Sequence, residues 1–107
     1  MLARPELDEI SHKMLAAVDL LKKDGWTTFT RLDPATGKRC LLGALDDVGA
    51  TYAATKRLAA VLPFVNGANN SGAWKVANWN NYACKSAEEA ADKLREAAYA
   101  PVNDYVE

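Results

Sequence analysis

One histidine and two cysteines in 107 residues leave little material for several kinds of chemistry. Cys40, Cys84 and His12 lie far apart in the chain. No Cys-x-x-Cys or His-x-x-x-His element is present to start a zinc site. A P-loop is missing, as is a Gly-x-Gly-x-x-Gly run behind a strand, so a nucleotide has no phosphate cradle. No metal and no cofactor is expected. Positive charge is not in excess either: 13 basic residues face 14 acidic ones, for a net charge of −1. The basic residues come as the small pairs Lys22-Lys23, Lys38-Arg39 and Lys56-Arg57. Binding through phosphates needs a clustered excess of Lys and Arg, so these pairs read as solvated surface and nucleic acid is not an expected partner. No apolar run approaches the ~20 residues that a membrane span needs. Met1-Leu2-Ala3-Arg4-Pro5 runs into charged sequence without the apolar stretch of a signal peptide. These absences together give the expectation of a cytoplasmic chain with free thiols and no membrane partner. The Asn69-Asn70-Ser71 sequon is then a chance match.

What is present is an ordinary globular composition, 50% hydrophobic and 25% charged. The length suits one domain over residues 1–107, able to bury roughly two-thirds of its unfolded surface. Alanine supplies much of the apolar count, which suits a core of closely approaching backbones with few large anchors.

The patterning predicts a mainly α, compact four-helix domain with a short extended or hairpin segment near residues 26–40. Pro5 suits a first helical position and Gly25 a left-handed cap. Between them Leu7, Ile10, Met14, Ala17, Val18 and Leu21 share one face, with Asp8, His12, Asp19 and Lys23 opposite. Trp26 to Leu32 is β-branched and aromatic, hence extended. Asp33-Pro34-Ala35-Thr36-Gly37 has turn chemistry. Lys38 to Asp47 reads as a short buried helix, although Arg39 to Leu42 could continue a hairpin. Thr51 can cap a third helix, from Tyr52 to about Leu62, ended by Pro63. Residues 66–82 hold six asparagines, two glycines, two tryptophans and a tyrosine. They predict a long packed loop with a helical turn around Trp74 to Trp79. Ser86-Ala87-Glu88-Glu89 matches a capping box that opens the last helix. Its alanine face invites a close approach, with Gly43-Ala44 as the expected dock, and Tyr99 to Glu107 follow as a tail.

Three sets of residues could carry function. Cys40 sits at a helix start beside Lys38 and Arg39, which favours a thiolate. A nucleophile also needs a base, and phasing puts His12 on a solvated face, so a small buried side chain is the default for Cys40. Asp46 and Asp47 could hold a hard cation or act as acid and base. Adjacent helical positions diverge by about 100°, which favours solvated helix-end charge. The third set is Trp74, Trp79, Asn78, Asn80, Asn81 and Tyr82, where aromatics beside amides could stack on a sugar or base or anchor a protein. The structural alternative has Trp79 plugging the core while the asparagines pin the loop.

Cys40-Leu41-Leu42-Gly43-Ala44-Leu45, then Trp79-Asn80-Asn81 and a capped alanine-rich helix, resembles a domain-of-unknown-function family of small actinobacterial and actinophage proteins. That family carries Cys-x-x-Gly-Ala and Trp-Asn-Asp motifs, and the resemblance covers roughly residues 7 to 99. Asn81 stands where the family usually has aspartate. The resemblance implies no activity, cofactor or substrate. It does imply a cytoplasmic setting, the host cytoplasm for a phage-encoded copy. The reading that follows is a non-enzymatic protein-binding module with a host or cellular protein as partner and Trp74, Trp79, Asn80, Asn81 and Tyr82 at its binding site. A thiol-dependent hydrolase centred on Cys40, aided by Asn80 or Asp46, and a weak nucleic-acid binder are the alternatives.

Overall fold

The apolar stripe of the first helix forms as its spacing demands. In the computed structural model, which describes residues 7–50 and 52–104, α1 runs Glu9–Asp24 and buries Met14, Ala17, Val18 and Leu21. Asp8 caps it, its carboxylate accepting from the Ser11 backbone N–H at 2.8 Å. Gly25, with φ +100°, closes the far end by donating to the Leu21 carbonyl. Pro5, the expected start, lies outside the described residues.

Four further α-helices follow: α2 (Leu41–Asp47), α3 (Tyr52–Val61), α4 (Gly72–Asn78) and α5 (Ala87–Asp104), with a π-helical turn over Trp79–Ala83 between the last two. Among the described residues the expected four helices are therefore five, because the asparagine-rich segment spends its middle in a helix and not in a loop. Thr51, the expected cap of α3, is outside the described residues. The last helix continues through Tyr99 and Ala100 to Asp104 where a tail was expected; the rest of the expected tail lies outside the described residues.

No strand forms among the described residues. Residues 25–40 instead fold back on themselves through isolated bridges that pair Arg39 with Trp26 and with Leu32. Thr27 N–H donates to the Arg39 carbonyl at 2.9 Å, and Arg39 N–H to the Gly25 carbonyl at 3.0 Å. The Asp33–Gly37 turn forms as its residue types require. Gly37 N–H donates to the Asp33 carbonyl at 2.7 Å, and the Asp33 carboxylate accepts from Ala35 N–H at 2.9 Å. The Arg39 guanidinium pins this connection to both flanking helices, with Asp24 at 2.6 Å and Asp47 as ion-pair partners.

The helices share one core of mostly small residues. α5 lies along α1 and α3, burying Ala90, Ala91, Leu94, Ala97 and Ala98. Its expected dock at Gly43-Ala44 is not among its main contacts, which are with α1 and α3; Gly43 faces a different backbone. A Cβ built on Gly43 would stand 1.8 Å from the Arg31 carbonyl oxygen, so α2 accepts the 25–40 connection where a side chain would otherwise be.

Two polar ties hold the bundle. Ser11 is buried and donates to the Ala98 carbonyl at 2.6 Å, joining α1 to α5. Arg57 on α3 donates to the Ser11 hydroxyl at 3.0 Å and pairs with Asp8. The hydrogen bond from Arg57, with the Ser11 amide, holds the Asp8 carboxyl well below the usual carboxylate range. At the start of α5, Glu89 N–H donates to the Ser86 hydroxyl at 3.1 Å. Glu89 returns the contact to Lys85 N–H at 2.7 Å, one residue before the amide that a capping box would use.

Candidate functional site

An α-helix that continued past Asn78 would spread consecutive side chains by about 100° each. The π turn changes that spacing. Cys84 N–H reaches back five residues to the Trp79 carbonyl at 2.8 Å. Trp79 and Asn80 both point inward, Asn81 is half-buried and Tyr82 is exposed. Four neighbouring residues thus serve two different purposes.

The inward pair builds the scaffold. Trp79 is fully enclosed among the core side chains. Asn80 is entirely buried and uses its whole amide. Its Oδ1 accepts from the Trp26 indole N–H at 2.7 Å and from Leu41 N–H at 3.1 Å. Its Nδ2 donates to the Thr27 carbonyl at 3.2 Å and to Asn81 Oδ1 at 3.0 Å. A buried amide satisfied at every position specifies one arrangement, because any other leaves donors or acceptors unpaired. Asn81 continues the chain of bonds by accepting from Phe29 N–H at 2.8 Å. Asn81 thus accepts from two N–H groups, a role that a carboxylate could also fill.

The outward residues make a surface. Tyr82 meets Phe29 edge-on, with ring centroids 5.3 Å apart and planes at 83°. Phe29 holds a left-handed backbone, φ +65°, the only such non-glycine among the described residues. That conformation costs about 1–2 kcal/mol for a side-chain-bearing residue, and Asn81 is the group that holds it. On the other side of Tyr82 an open groove of about 520 Å³ runs to Trp74, over Val65 and Ala68. Asn66, Asn69 and Asn78 bring amides to its wall, and no charged side chain lines it. Trp74 is 67% exposed, Tyr82 69% and Phe29 64%, although all three are large and apolar.

The loop under the groove is built by Asn70, whose Oδ1 accepts from Val65 N–H at 2.8 Å while its Nδ2 donates to the Val65 and Ala68 carbonyls at 2.9 Å. The Asn69-Asn70-Ser71 triplet is thus a folding element of this loop.

Of the five expected binding residues, Trp74 and Tyr82 therefore stand at the groove, while Trp79 and Asn80 are withdrawn into the protein and Asn81 lies between. Trp79 and Asn80 take the places the structural alternative gives them, one in the core and one pinning neighbouring backbone. Phe29 was missed, since a β-branched, aromatic run carries no sign of a positive φ at one position. Val65, Asn66 and Ala68 were missed because the loop that assembles them depends on Asn70.

The remaining candidates are tied down. Cys40 is buried and its Sγ accepts from Gly43 N–H at 3.5 Å, capping α2. Asn80 lies next to it through Leu41 but has no bond to spare. Asp46 pairs with Arg31 and Asp47 with Arg39. His12 is exposed on α1. Burial pushes the Cys84 thiol up, and its Sγ lies 3.2 Å from the Ser86 carbonyl. Among the described residues no three His, Cys, Asp or Glu side chains gather as a metal site would need. No helix there is long and apolar enough to cross a membrane.

Residues 5–100 match the model of a family of unknown function, DUF6197, and the chain belongs to that family. No curated protein and no solved structure matches it significantly.

Proposed function

For this member of a family without an assigned activity, we propose a non-enzymatic role: a small module that binds another protein through the ridge and groove formed by Phe29, Tyr82 and Trp74. The observation that carries the reading is the exposure of Trp74 and Tyr82 along one uncharged groove, with the equally exposed Phe29 packed edge-on against Tyr82. Interface anchors are enriched in Trp and Tyr. Large apolar side chains clustered in water mark interaction surfaces. The strained backbone at Phe29 supports the same reading, since such conformations persist where the surroundings impose them and concentrate at functional sites. The scaffold beneath, from Asn81 through Asn80 to Leu41, holds the ridge in place before any partner arrives, which lowers the ordering cost of binding. The resemblance to small actinobacterial and actinophage proteins makes a bacterial cytoplasmic protein, a host protein where the gene is phage-borne, the first class of partner to test.

The test compares capture from a bacterial lysate by the unaltered protein and by Trp74→Ala and Tyr82→Ala variants of unchanged melting temperature. A protein retained by the first and lost by both variants supports the proposal. Capture that both variants leave intact, or no specific capture in repeated trials, overturns it.

A further inference from the structure

We infer that Asn66-Gly67 is a self-modifying site: without an enzyme, the Gly67 backbone attacks the Asn66 side chain, which loses ammonia and becomes aspartate or isoaspartate. The reaction needs an asparagine followed by a residue that leaves the attacking nitrogen uncovered, and glycine has no side chain to cover it. The fold presents the pair in the right setting. Asn66 and Gly67 are the exposed centre of a four-residue turn, closed by Ala68 N–H donating to the Val65 carbonyl at 3.3 Å. Gly67 has φ +72°, a conformation that glycine adopts without strain. A Cβ placed on Gly67 would meet nothing within 4 Å, so water has free access to the peptide bond. Asn70 grips both ends of the turn through Val65 and Ala68. Among the described residues no hydrogen bond holds the Asn66 side chain or the Gly67 N–H between those ends.

Water is the one co-reactant. The Gly67 nitrogen gives its proton to solvent and bonds to Asn66 Cγ. The Cγ–Nδ2 bond breaks, Nδ2 takes up a proton and leaves as ammonia, and a succinimide ring closes. Water then opens the ring at either carbonyl, leaving a carboxylate at position 66 with nothing oxidised or reduced. The other asparagines of residues 66–82 lack this freedom. Asn70 is followed by the small Ser71, yet both of its amide atoms are bonded to Val65 and Ala68. Asn80 is buried with its amide fully used. Asn78 precedes Trp79, whose N–H already donates to the Lys75 carbonyl. Asn69 and Asn81 precede residues with larger side chains, Asn70 and Tyr82. Asn66 lines the groove with Trp74 and Tyr82, where no charged side chain stands. The reaction therefore turns an uncharged surface acidic. It needs only the turn and water, so the inference stands or falls apart from the partner reading.

The experiment incubates the folded full chain for days at physiological temperature and mildly alkaline pH, then maps its peptides by mass spectrometry with aspartate and isoaspartate resolved. Conversion is expected at Asn66, rising with pH because the attacking amide must lose its proton. Asn70 should convert at least about tenfold more slowly, since three hydrogen bonds must break first. A parallel incubation in guanidinium should speed Asn70 and leave Asn66 little changed. Hydroxylamine, which traps the ring, should cut the chain between residues 66 and 67, and Gly67→Ala of unchanged melting temperature should slow conversion by covering the nitrogen. No conversion of Asn66 in the folded chain, conversion only after unfolding, or a rate that Gly67→Ala leaves unchanged overturns the inference.

Discussion

The side-chain oxygen of Asn80 lies 2.7 Å from the indole nitrogen of Trp26, while the same oxygen receives the backbone N–H of Leu41 at 3.1 Å. One buried amide therefore ties the 25–40 connection to α2 and to the π turn.

Replacing Asn80 by alanine orphans both donors and opens a void. Each unpaired buried group costs about 1–3 kcal/mol, so a loss of at least about 3 kcal/mol is expected from denaturant unfolding of Asn80→Ala. Asn80→Asp keeps the shape but removes the donor to the Thr27 carbonyl and introduces buried charge, and it should destabilise comparably. A change below about 1 kcal/mol in either variant would show that the network is dispensable.

Gly43→Ala adds a single methyl group against the Arg31 carbonyl oxygen, 1.8 Å away. Backbone has to move to admit it, so the cost should exceed the 1–3 kcal/mol usual for overpacking. Cys40→Ser at the same helix start provides the control, because a serine oxygen can accept the Gly43 N–H and remains a good N-cap. The expected result is a much lower melting temperature for Gly43→Ala and a nearly unchanged one for Cys40→Ser.

Phe29→Asn separates binding from stability. Asparagine tolerates the left-handed region, so strain is relieved while the exposed contact with Tyr82 is lost, worth about 0.5–1.5 kcal/mol for an aromatic pair. The expected outcome is stability within about 1 kcal/mol of the original and weaker capture of the partner. A large destabilisation would make Phe29 a structural residue.

Acid should act through Asp8. Its carboxyl is depressed in the folded protein, so its stabilisation is complete above the unfolded value of about 3.9 and is lost as pH falls below that towards the folded value. Asp8→Asn keeps a capping oxygen but removes the charge facing Arg57. The stability gap between the two proteins should be constant near neutrality and close as pH drops below about 4. The carboxylate is half exposed, so the gap stays within about 1 kcal/mol.

Helices α1, α3 and α5 are legible because each combines an apolar face with punctuation, such as Gly25 or the Ser86 cap, whereas seven residues leave α2 too short for its period to separate it from a hairpin. The Asp33–Gly37 turn was legible from residue type alone. What pattern could not reveal depends on contacts distant in sequence. Trp26 to Leu32 has strand-like composition, yet its partner is a single residue, Arg39, and no ladder can grow from that. Gly43 reads as a seat for another helix, although the close neighbour is the Arg31 carbonyl. Which residues of the aromatic and amide segment face water depends on a π turn that no periodicity announces.

That turn carries a consequence for how this surface could arise or vanish. A π turn holds one more residue than the α-helical turn it replaces, so deleting a residue between Trp79 and Ala83 would restore ordinary winding and change which side chains of the turn point inward. The side chain that now fills the interior and the side chain that now greets a partner could not both keep their stations. Length variation at this spot is therefore an all-or-nothing event, whereas Trp74 and Tyr82 can be exchanged one at a time without disturbing the frame.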